Sequence, residues 1–495
     1  MLAEYYLRNA IAAAQILAGF DEDVFRARLE SSRVGLSIDV DVSLGDGAAL
    51  ADLLVRLVAR FFPVLAIVGE GSTAASLGEL AKRINPKIEL VDVATVGVAI
   101  GGGETFATTI FAGCDGWDAL LSSAEPQTVS KGNNPFGAGV AACLAAAGLF
   151  RAVLLPPETT RADNVRVSAL SGERSECTTR KSPPPWTLEG DAVLAGAGAV
   201  GQGALWALSR APLTGRVHVV DMEHVELSNL QRYVLTEMVD EHRPKVEIAG
   251  ALHSELDFVP HAEDLATFLV RSGYHWDSML LALDSARDRV SAQASLPRFI
   301  VNAWTQPGDL GVSSHSRFGG EGACVACLYL PGSSRQNEDE LVAEALGIPH
   351  LHMQVRTLLA TGTPVDTDFL QAVAAAIGQP LERLLRFEHR TVRELYVEGF
   401  CGGAVIPVGE AGQLHQAAQD IHVPLAHQSA LAGVLLGAAL VRHSEDEDDT
   451  LTHVTRLDVL KPVGRFLRQP LRARRDGRCI CDDSDFVAAY AAKYT

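Results

Sequence analysis

A glycine turn between two apolar segments constrains this chain more than any other feature of its sequence. Residues Asp191–Arg232 read DAVLAGAGAVGQGALWALSRAPLTGRVHVVDMEHVELSNLQR. The spacing predicts a buried strand, a G-x-G-x-x-G turn, a helix and a second strand that ends at Asp221. Glycines at Gly196, Gly198 and Gly201 let the backbone approach phosphates, and the helix start offers free N–H groups. An acid in the position of Asp221 is expected to bond the hydroxyls of a ribose, so the pattern predicts a nucleotide site.

The residues after this turn carry a second pattern. The second strand is followed by SNLQR, which ends at Arg232, then by HRPKVE, which contains Lys245, and later by the apolar segment LLALD, which ends at Asp284. Together with the glycine turn, this set resembles the adenylating enzymes that activate ubiquitin-like and sulfur-carrier proteins, namely the ThiF family and the ubiquitin-activating enzymes. The resemblance is strong over Asp191–Leu330, and the chain looks most like a compact bacterial enzyme that activates a ubiquitin-like protein.

This resemblance implies a site for ATP and Mg²⁺. Arg232, with a planar fork of donors, and Lys245, with a point charge, are expected to hold the phosphates. Asp284 is expected to bind Mg²⁺ and Asp221 the ribose, while Asn229 either reaches the reacting phosphate or orients Arg232. The alternatives are ordinary helix-surface charges for the two cations and a helix cap for Asp284.

Two positions depart from the family pattern. Tyr233 follows the arginine where glutamine is usual, and Ser285 follows the acid of the fourth strand where asparagine is common. Neither change removes a charge, so adenylation is still expected and only the fine tuning of the site is affected.

The length of 495 residues exceeds one ordinary core, and a proline-rich segment, KSPPPWTLEG, marks the clearest boundary. We expect an α/β protein with two Rossmann-like, doubly wound lobes that form a pseudo-dimer. The expected divisions are an inactive adenylation-like domain (1–182), a linker (183–190), the first part of the active domain (191–335), a helical insertion or crossover (336–400), and a segment with a catalytic cysteine and a zinc-binding end that completes the active domain (401–495).

The first lobe is expected to be a degenerate repeat of the second. Val64–Val93 repeats the strand, glycine turn, helix and strand, although it lacks the third glycine and anything like SNLQR. Gly116–Glu125 and His275–Asp284 each place an apolar strand after Trp-Asp. Coincidence is the alternative, because βαβ units are common.

Composition excludes several classes of protein. A net charge of −19 argues against a nucleic-acid partner, because such proteins usually present a basic face. The N-terminus lacks a signal-peptide pattern, and apolar stretches such as Ala430–Val441 fall short of the about 20 residues of a membrane span. We therefore expect a cytoplasmic protein without a membrane partner, whose eight cysteines serve metal binding or catalysis before disulfides.

Two cysteine pairs are expected to converge on a structural Zn²⁺. These are the C-x-x-C of Cys324 and Cys327 and the C-x-C of Cys479 and Cys481. The resemblance implies such a site, which ties together distant ends of the fold, although C-x-x-C is usual for the second pair. Small buried hydrophobes or a redox pair are the alternatives. The remaining cysteines at positions 114, 143 and 177 look incidental, with Cys143 in an alanine-rich core helix.

Cys401 is the candidate for a catalytic thiol. It stands in VEGFCGGAVIPVG, just after the helical insertion and beside two glycines. A cysteine in this region resembles the thioester-forming nucleophile of enzymes that pass a ubiquitin-like protein onward, and such a thiol requires a lowered pKa. A packed cysteine in a glycine turn is the alternative. His422 and His427 are possible neighbours, with structural roles favoured for both.

The leading functional hypothesis is adenylation of the C-terminal glycine of a ubiquitin-like, β-grasp protein. Capture as a thioester on Cys401 and transfer to a conjugating enzyme would follow. The main alternative is activation of a sulfur carrier for cofactor or thionucleoside synthesis, without a catalytic thioester. Adenylation of a small peptide or of a tRNA-linked carboxylate, an NAD-dependent oxidoreductase and a non-catalytic scaffold are less favoured.

In the adenylating enzymes that this chain resembles, the inactive lobe also supplies an arginine to the ATP site of the active lobe. Arg8, Arg26 and Arg28 are the candidates here, and the sequence does not choose among them. A monomeric pseudo-dimer and a homodimer are both compatible with the tandem arrangement.

Overall fold

The computed structural model describes most of the chain. The described residues are 2–17, 19–39, 42, 45–69, 71–155, 164–171, 185–306, 309–330, 338–396, 399, 423–445, 452–461, 467–475 and 477–494.

Strands and helices alternate along most of the described chain. The strands are β1 (Val34–Ile38), β2 (Val64–Val68), β3 (Glu89–Val91), β4 (Val96–Ile100), β5 (Thr108–Asp115), β6 (Asp118–Ser122), β7 (Val165–Ser168), β8 (Trp186–Thr187), β9 (Ala192–Ala195), β10 (Leu213–Val220), β11 (Leu256–His261), β12 (Ser278–Leu281), β13 (Phe299–Gln306), β14 (Asp309–Ser316), β15 (Thr452–Leu457) and β16 (Arg468–Leu471). The helices are α1 (Tyr6–Ala14), α2 (Glu22–Ser31), α3 (Gly45–Val58), α4 (Ser72–Ile84), α5 (Pro135–Leu154), α6 (Ala199–Arg210), α7 (Lys245–Gly250), α8 (Leu265–Ser272), α9 (Ala286–Ala294), α10 (Val325–Tyr329), α11 (Glu338–Ala345), α12 (His352–Thr361), α13 (Thr367–Ile377), α14 (Val392–Glu394), the core helix (Ala426–Glu445) and the C-terminal helix (Ser484–Tyr494).

The strands form two large sheets. The first has the order β3-β2-β1-β4-β5-β6-β7, and the second has the order β11-β10-β9-β12-β13-β14-β15-β16, with β8 paired to β10. In each sheet the first five strands of the order run parallel and the strands beyond them add antiparallel pairs. The predicted α/β class with two doubly wound, Rossmann-like lobes is therefore confirmed.

The matching strand orders correct the predicted internal repeat. β1 occupies the place of β9, so β2, which begins Val64–Val93, corresponds to β10 and not to the strand before the glycine turn. The parallel drawn between Gly116–Glu125 and His275–Asp284 is also wrong, because β6 is antiparallel to its neighbours whereas β12 is parallel. An apolar segment after Trp-Asp indicates a buried strand, but it carries no information about strand direction or neighbours.

Contacts divide the chain into two compact units. One consists of Met1–Glu4, Arg28–Leu330 and Leu425–Thr495 and holds both sheets, while the other consists of Tyr5–Ala27 and Pro331–Pro424. The second unit is helical where it is described, and Phe369, Leu370 and Val373 of α13 are among its buried side chains. These boundaries differ from the divisions that the proline-rich segment suggested, and part of the expected linker forms the short strand β8.

The two lobes of the larger unit meet through close-packed helices. A Cβ atom added to Gly433 of the core helix would lie 2.2 Å from the carbonyl oxygen of Val200 in α6, so the two helices cross in direct backbone contact. A Cβ on Gly139 of α5 would lie 2.8 Å from the ring of Trp206. Among the described helices, α5 has the length and apolarity of a membrane span, and 78% of its apolar window is buried in the protein. Its apolar surface packs on β5, β6 and α3 of its own lobe as well as against the core helix.

Candidate functional site

The predicted glycine turn lies at the carboxyl end of β9, between that strand and α6. Gly196 has a positive φ of 97°, and a Cβ atom there would lie 2.6 Å from the carbonyl oxygen of Ala282. A Cβ on Gly201 would lie 2.1 Å from the carbonyl oxygen of Gly196. Both positions therefore require glycine, the first for its conformation and the second for close approach of the helix to the turn. Gly198 is the N-terminal flanking residue of α6, so the free N–H groups of the helix begin here.

Asp221 ties this turn to the end of β10. Its Oδ2 accepts a hydrogen bond from the backbone N–H of Ala197 at 2.8 Å, and its Oδ1 accepts one from Glu223 at 2.8 Å. Burial raises the pKa of Asp221, while Lys245 and the two N–H donors act in the opposite direction. Each carboxylate oxygen has a second lone pair, so the residue can hold the turn and also accept a ribose hydroxyl.

Tyr233 brings the predicted cations together. The Lys245 Nζ lies 5.3 Å from the centroid of its ring, and the guanidinium carbon of Arg232 lies 5.7 Å from it. Its hydroxyl reaches the helix start, because a Cβ on Gly198 would lie 3.4 Å from Tyr233 Oη. The sequence analysis noted this tyrosine only as a departure from the family pattern. Its position directly after SNLQR was the feature that could have marked it as a site residue.

Three charged residues that the sequence predicted for the site act on Tyr233. Burial raises the pKa of Tyr233, the cations Lys245 and Arg232 lower it, and the carboxylate of Asp284 raises it. Lys245 is 5% exposed, forms an ion pair with Glu223, and has a raised pKa because the negative charges around it outweigh its burial. It is therefore a buried, charged lysine and not the helix-surface charge of the alternative hypothesis.

Arg232 carries an unsatisfied donor. Its Nη1 atom is buried and has no hydrogen-bond partner among the described residues. A buried donor left without an acceptor costs about 1–3 kcal/mol, so such a group is retained where a ligand completes it. A phosphate oxygen suits this position, because guanidinium and phosphate form strong charge-assisted hydrogen bonds. The residues present therefore fit the phosphate chain of ATP.

Asn229 has a local role in the backbone that leads to Arg232. Its Oδ1 accepts from the backbone N–H of Glu226 at 3.0 Å, and the side chain of Glu226 accepts in return from the backbone of Asn229. This reciprocal cap forms the short 3₁₀ turn Leu227–Asn229, and the backbone N–H of Arg232 donates to the carbonyl of Asn229 at 3.0 Å. Of the two roles predicted for Asn229, this geometry supports orientation of Arg232.

Asp284 lies beyond the end of β12 with an exposed side chain. The alternative hypothesis made it the cap of the following helix, but Ser285 takes that place, and its Oγ accepts from the backbone N–H of Asp288 at 3.0 Å. The carboxylate of Asp284 is therefore not used as the helix cap. An exposed carboxylate that acts electrostatically on Tyr233 fits a hard divalent cation such as Mg²⁺.

The four predicted zinc ligands meet in one buried cluster. Neighbouring Sγ atoms are separated by distances from 3.3 Å (Cys327 to Cys479) to 3.9 Å (Cys324 to Cys327), and all four Sγ atoms lie within 4.8 Å of one another. Four sulfurs at about 2.3 Å from a central Zn²⁺ would lie about 3.8 Å apart, whereas a disulfide requires about 2.05 Å. The donor set and its spacing fit a tetrahedral metal ion. The C-x-C spacing of Cys479 and Cys481 presents both thiols as well as C-x-x-C would.

The other residues named from the sequence either belong to other parts of the fold or lie outside the described part of the chain. Cys401, Cys177 and His422 lie outside the described residues. His427 is buried against Phe150 with ring centroids 6.1 Å apart, and burial lowers its pKa to about 3, so it is a neutral core histidine. Arg28 donates to the carbonyl of Leu154 at 3.0 Å within the first lobe. Arg8 and Arg26 belong to the smaller unit.

Two arginines of the first lobe contact the site, and the sequence analysis missed both. Arg60 is 1% exposed and donates from Nη2 to the carbonyl of Tyr233 at 2.6 Å, while Arg56 donates to the carbonyl of Val234 at 3.0 Å. They lie at the end of α3, a helix that the sequence analysis did not single out. No local pattern marks them, because their acceptors are main-chain carbonyls more than 170 residues away along the chain.

Two sequence-family models match different parts of the chain. The sequence model of the ThiF family matches residues 188–345, and the model described as Prokaryotic E2 family C matches residues 39–155. The chain is 40% identical over 510 residues to the uncharacterized protein y4jF of Sinorhizobium fredii (strain NBRC 101917 / NGR234). That alignment covers 100% of this chain and 97% of y4jF.

Three solved structures are similar to this chain over different shares of its length. Escherichia coli MccB, crystallised with MccA-N7isoASN, covers 76% of this chain and 98% of its own, at 9% identity and a TM-score of 0.36. PaaA, in its selenomethionine form, covers 25% of this chain and 40% of its own, at 20% identity and a TM-score of 0.22. The E. coli tRNA N6-threonylcarbamoyladenosine dehydratase TcdA covers 24% of this chain and 54% of its own, at 19% identity and a TM-score of 0.22.

Proposed function

Because the chain belongs to the ThiF family, we propose that it uses ATP to activate the C-terminal carboxylate of a ubiquitin-like protein. The observation that carries this proposal is the buried Nη1 of Arg232, which has no hydrogen-bond partner among the described residues. The Arg232 guanidinium lies over the Tyr233 ring, and the helix that follows the glycine turn has no side-chain cap at Gly198. A dinucleotide oxidoreductase needs the turn but has no use for a half-buried arginine and a buried lysine over one ring.

The first step of this proposal is adenylation. An oxygen of the substrate carboxylate forms a bond to the α-phosphorus of ATP, and the bond from that phosphorus to the bridging oxygen breaks. The products are an acyl adenylate and pyrophosphate. Arg232 and Lys245 neutralise the charge that moves onto the phosphates, and Asp221 holds the ribose, so positioned charges carry most of the catalysis.

Asp284 is the residue that would hold Mg²⁺, which would neutralise phosphate charge when bound. Its carboxylate lies close enough to Tyr233 to raise the pKa of that residue. The cluster of Cys324, Cys327, Cys479 and Cys481 would hold a structural Zn²⁺, with no part in the chemistry.

The second step is transfer to a thiol. We propose that the Cys401 thiolate attacks the acyl carbon of the adenylate, so that a thioester forms and AMP leaves. A conjugating enzyme then accepts the acyl group on its own cysteine. Because Cys401 lies outside the described residues, its assignment rests on the sequence alone.

The match to Prokaryotic E2 family C supports a ubiquitin-like pathway over a sulfur-carrier pathway, since E2 denotes a conjugating enzyme. Within residues 39–155, however, the cysteines are Cys114 and Cys143, both fully buried in the structure. Burial raises the pKa of both thiols, so neither serves as an acceptor in this fold. A separate conjugating enzyme is therefore the proposed partner.

The test is ATP–pyrophosphate exchange in the presence of the candidate ubiquitin-like protein. Wild-type protein is expected to catalyse exchange only with that partner, and Asp284→Ala to abolish it. Asp288→Ala is the matched control, because it removes an exposed acid from the first turn of α9, the helix that follows Asp284. Exchange that persists in Asp284→Ala would contradict the assigned site.

The thioester is tested separately. Cys401→Ala is expected to retain exchange but to lose the covalent adduct that thiol reagents cleave. If wild-type protein supports exchange but never forms the adduct, while a sulfur donor consumes the adenylate, the sulfur-carrier alternative holds and the thioester assignment fails.

A further inference from the structure

The backbone that follows Arg232 is held by side chains from both lobes. We call residues Arg232–Thr236 the clamp segment. Arg60 Nη2 donates to the carbonyl oxygens of Tyr233 and Thr236, and Arg56 Nη1 donates to that of Val234. From the second lobe, the side-chain Oε1 of Gln202 accepts from the backbone N–H of Leu235 at 2.9 Å. Every residue from Tyr233 to Thr236 therefore forms a hydrogen bond between its main chain and one of these side chains.

Asp52 of α3 connects this arrangement to the helix that follows the glycine turn. Its carboxylate accepts from Nε of Arg56 at 3.0 Å, and also from Trp206 Nε1 and Arg210 Nη2 of α6, each at 2.8 Å. Burial alone would raise the pKa of Asp52, but the charges of Arg56 and Arg210 outweigh it, so the pKa is lowered. A charged carboxylate in the middle of α3 thus holds that helix against α6, and Arg60, two residues beyond the C-terminal end of α3, bonds the clamp segment.

The position of Tyr233 determines the position of both cations. Its main chain is fixed by Arg60, and its ring contacts the guanidinium of Arg232 and the ammonium of Lys245. A shift of Tyr233 would therefore move both cations relative to the glycine turn. Misplacement of reacting groups by 1 Å is enough to reduce a rate by about 100-fold.

We infer that Arg60 is a positioning residue for Arg232, through which the first lobe sets the geometry of a site in the second lobe. This inference rests on the proposed function. The guanidinium fork of Arg60 spans two carbonyl oxygens of the clamp segment and, through Nη1, that of Arg56. Lysine cannot replace it, because a point charge does not bridge several acceptors in a fixed plane.

The first measurement is the steady-state kinetics of ATP–pyrophosphate exchange by Arg60→Lys. We expect kcat to fall about 100-fold while the KM for ATP changes less than about 3-fold, because the glycine turn and Asp221 are unaltered. Arg60→Ala is expected to have a still lower kcat and to regain part of its activity when guanidinium ion is added to the solution. An unchanged kcat in folded Arg60→Lys overturns the inference.

The matched control is Arg83→Ala. Arg83 is another arginine of the first lobe that reaches the second, but it is about half exposed and contacts the side chain of Glu237, one residue beyond the clamp segment. We expect wild-type kcat from this variant. A loss equal to that of Arg60→Lys would show that any weakened contact between the lobes reduces the rate, and would overturn the specific role of Arg60.

A second readout does not require the protein substrate. Hydrogen–deuterium exchange of the peptide that contains residues 233–236 is expected to rise at least about 10-fold in Arg60→Lys and to stay unchanged in Arg83→Ala. If wild-type protein shows no ATP–pyrophosphate exchange at all, the proposed function fails, but hydrogen–deuterium exchange still tests whether Arg60 fixes the clamp segment. Unchanged protection of residues 233–236 in Arg60→Lys overturns the inference.

Discussion

Arg289 donates from its guanidinium to the carbonyl oxygen of Leu283, the residue that precedes Asp284. The same guanidinium donates to the side-chain oxygen of Asn302 and to the carbonyl of Ala303 on β13. Arg289 is 5% exposed, and burial lowers its pKa although Asp284 acts in the opposite direction. A buried arginine therefore fixes the strand end that presents the proposed Mg²⁺ ligand.

Replacement of Arg289 is expected to reduce stability as well as activity. Arg289→Met would leave three buried oxygens without their donor, and unsatisfied groups cost about 1–3 kcal/mol each. We expect the free energy of unfolding to fall by about 3 kcal/mol or more, measured by urea denaturation. Arg287→Ala, on the exposed side of the same helix, should change it by less than about 0.5 kcal/mol. Equal effects of the two variants would show that the bonds of Arg289 contribute little.

Replacement of Arg232 is expected to reduce activity without reducing stability. Arg232→Met removes a buried donor that has no partner among the described residues, so stability should be unchanged or rise by about 1 kcal/mol. ATP–pyrophosphate exchange should fall at least about 1000-fold, because the variant lacks a proposed phosphate clamp. Thermal unfolding without nucleotide, together with the exchange assay, tests both expectations. A clear loss of stability would indicate that Arg232 has a structural partner in the free protein.

Removal of the predicted zinc ligands is expected to release the C-terminus. Cys479→Ser with Cys481→Ser should abolish metal content measured by atomic emission, because two thiolates cannot complete a tetrahedral site. The C-terminal helix should then become sensitive to protease, although Lys493 Nζ still donates to the carbonyl oxygens of Ser295 and Leu296. Cys143→Ala, a buried cysteine of α5, is the control and should retain about one metal ion per chain. Metal retained by the double variant would place the ion elsewhere.

The buried imidazole of His427 is expected to make stability depend on pH. Burial lowers its pKa to about 3 from an ordinary value of 6.5, so the unfolded chain binds a proton more readily than the folded one. The stability that this neutral histidine provides is therefore present above pH 6.5 and is lost as the pH falls towards 3. At pH 5 the loss should be about 2 kcal/mol relative to neutral pH.

The check is urea denaturation at pH 7.5 and pH 5 for His427→Phe. This variant keeps a ring against Phe150 and removes the titrating group, so the difference in stability between the two pH values should shrink by about 2 kcal/mol. The exposed His253→Gln serves as the control and should leave that difference unchanged. An unaltered pH dependence in His427→Phe would mean that other groups cause it.

The sequence alone determined the class of fold and the chemical character of the site. The spacing of Gly196 and Gly201 required a tight turn between a strand and a helix, and the structure places them there. The two cysteine pairs predicted one cluster, because four soft ligands of the same kind in two close pairs suit a single metal ion. These features are local patterns or carry their chemistry in the residue type, so they can be read without knowing which segments meet.

Only the tertiary structure decided which residues serve that site. Tyr233 seemed a minor departure until its ring was found against both cations, and Arg60 carried no signal because its acceptors are carbonyl oxygens 173 and 176 residues away. Any residue offers a carbonyl oxygen, so such contacts leave no trace in residue type. The strand order shows that β1, and not β2, corresponds to β9. This order is likewise a property of the assembled sheet, because a hydrophobic pattern indicates that a strand is buried but not which strands lie beside it.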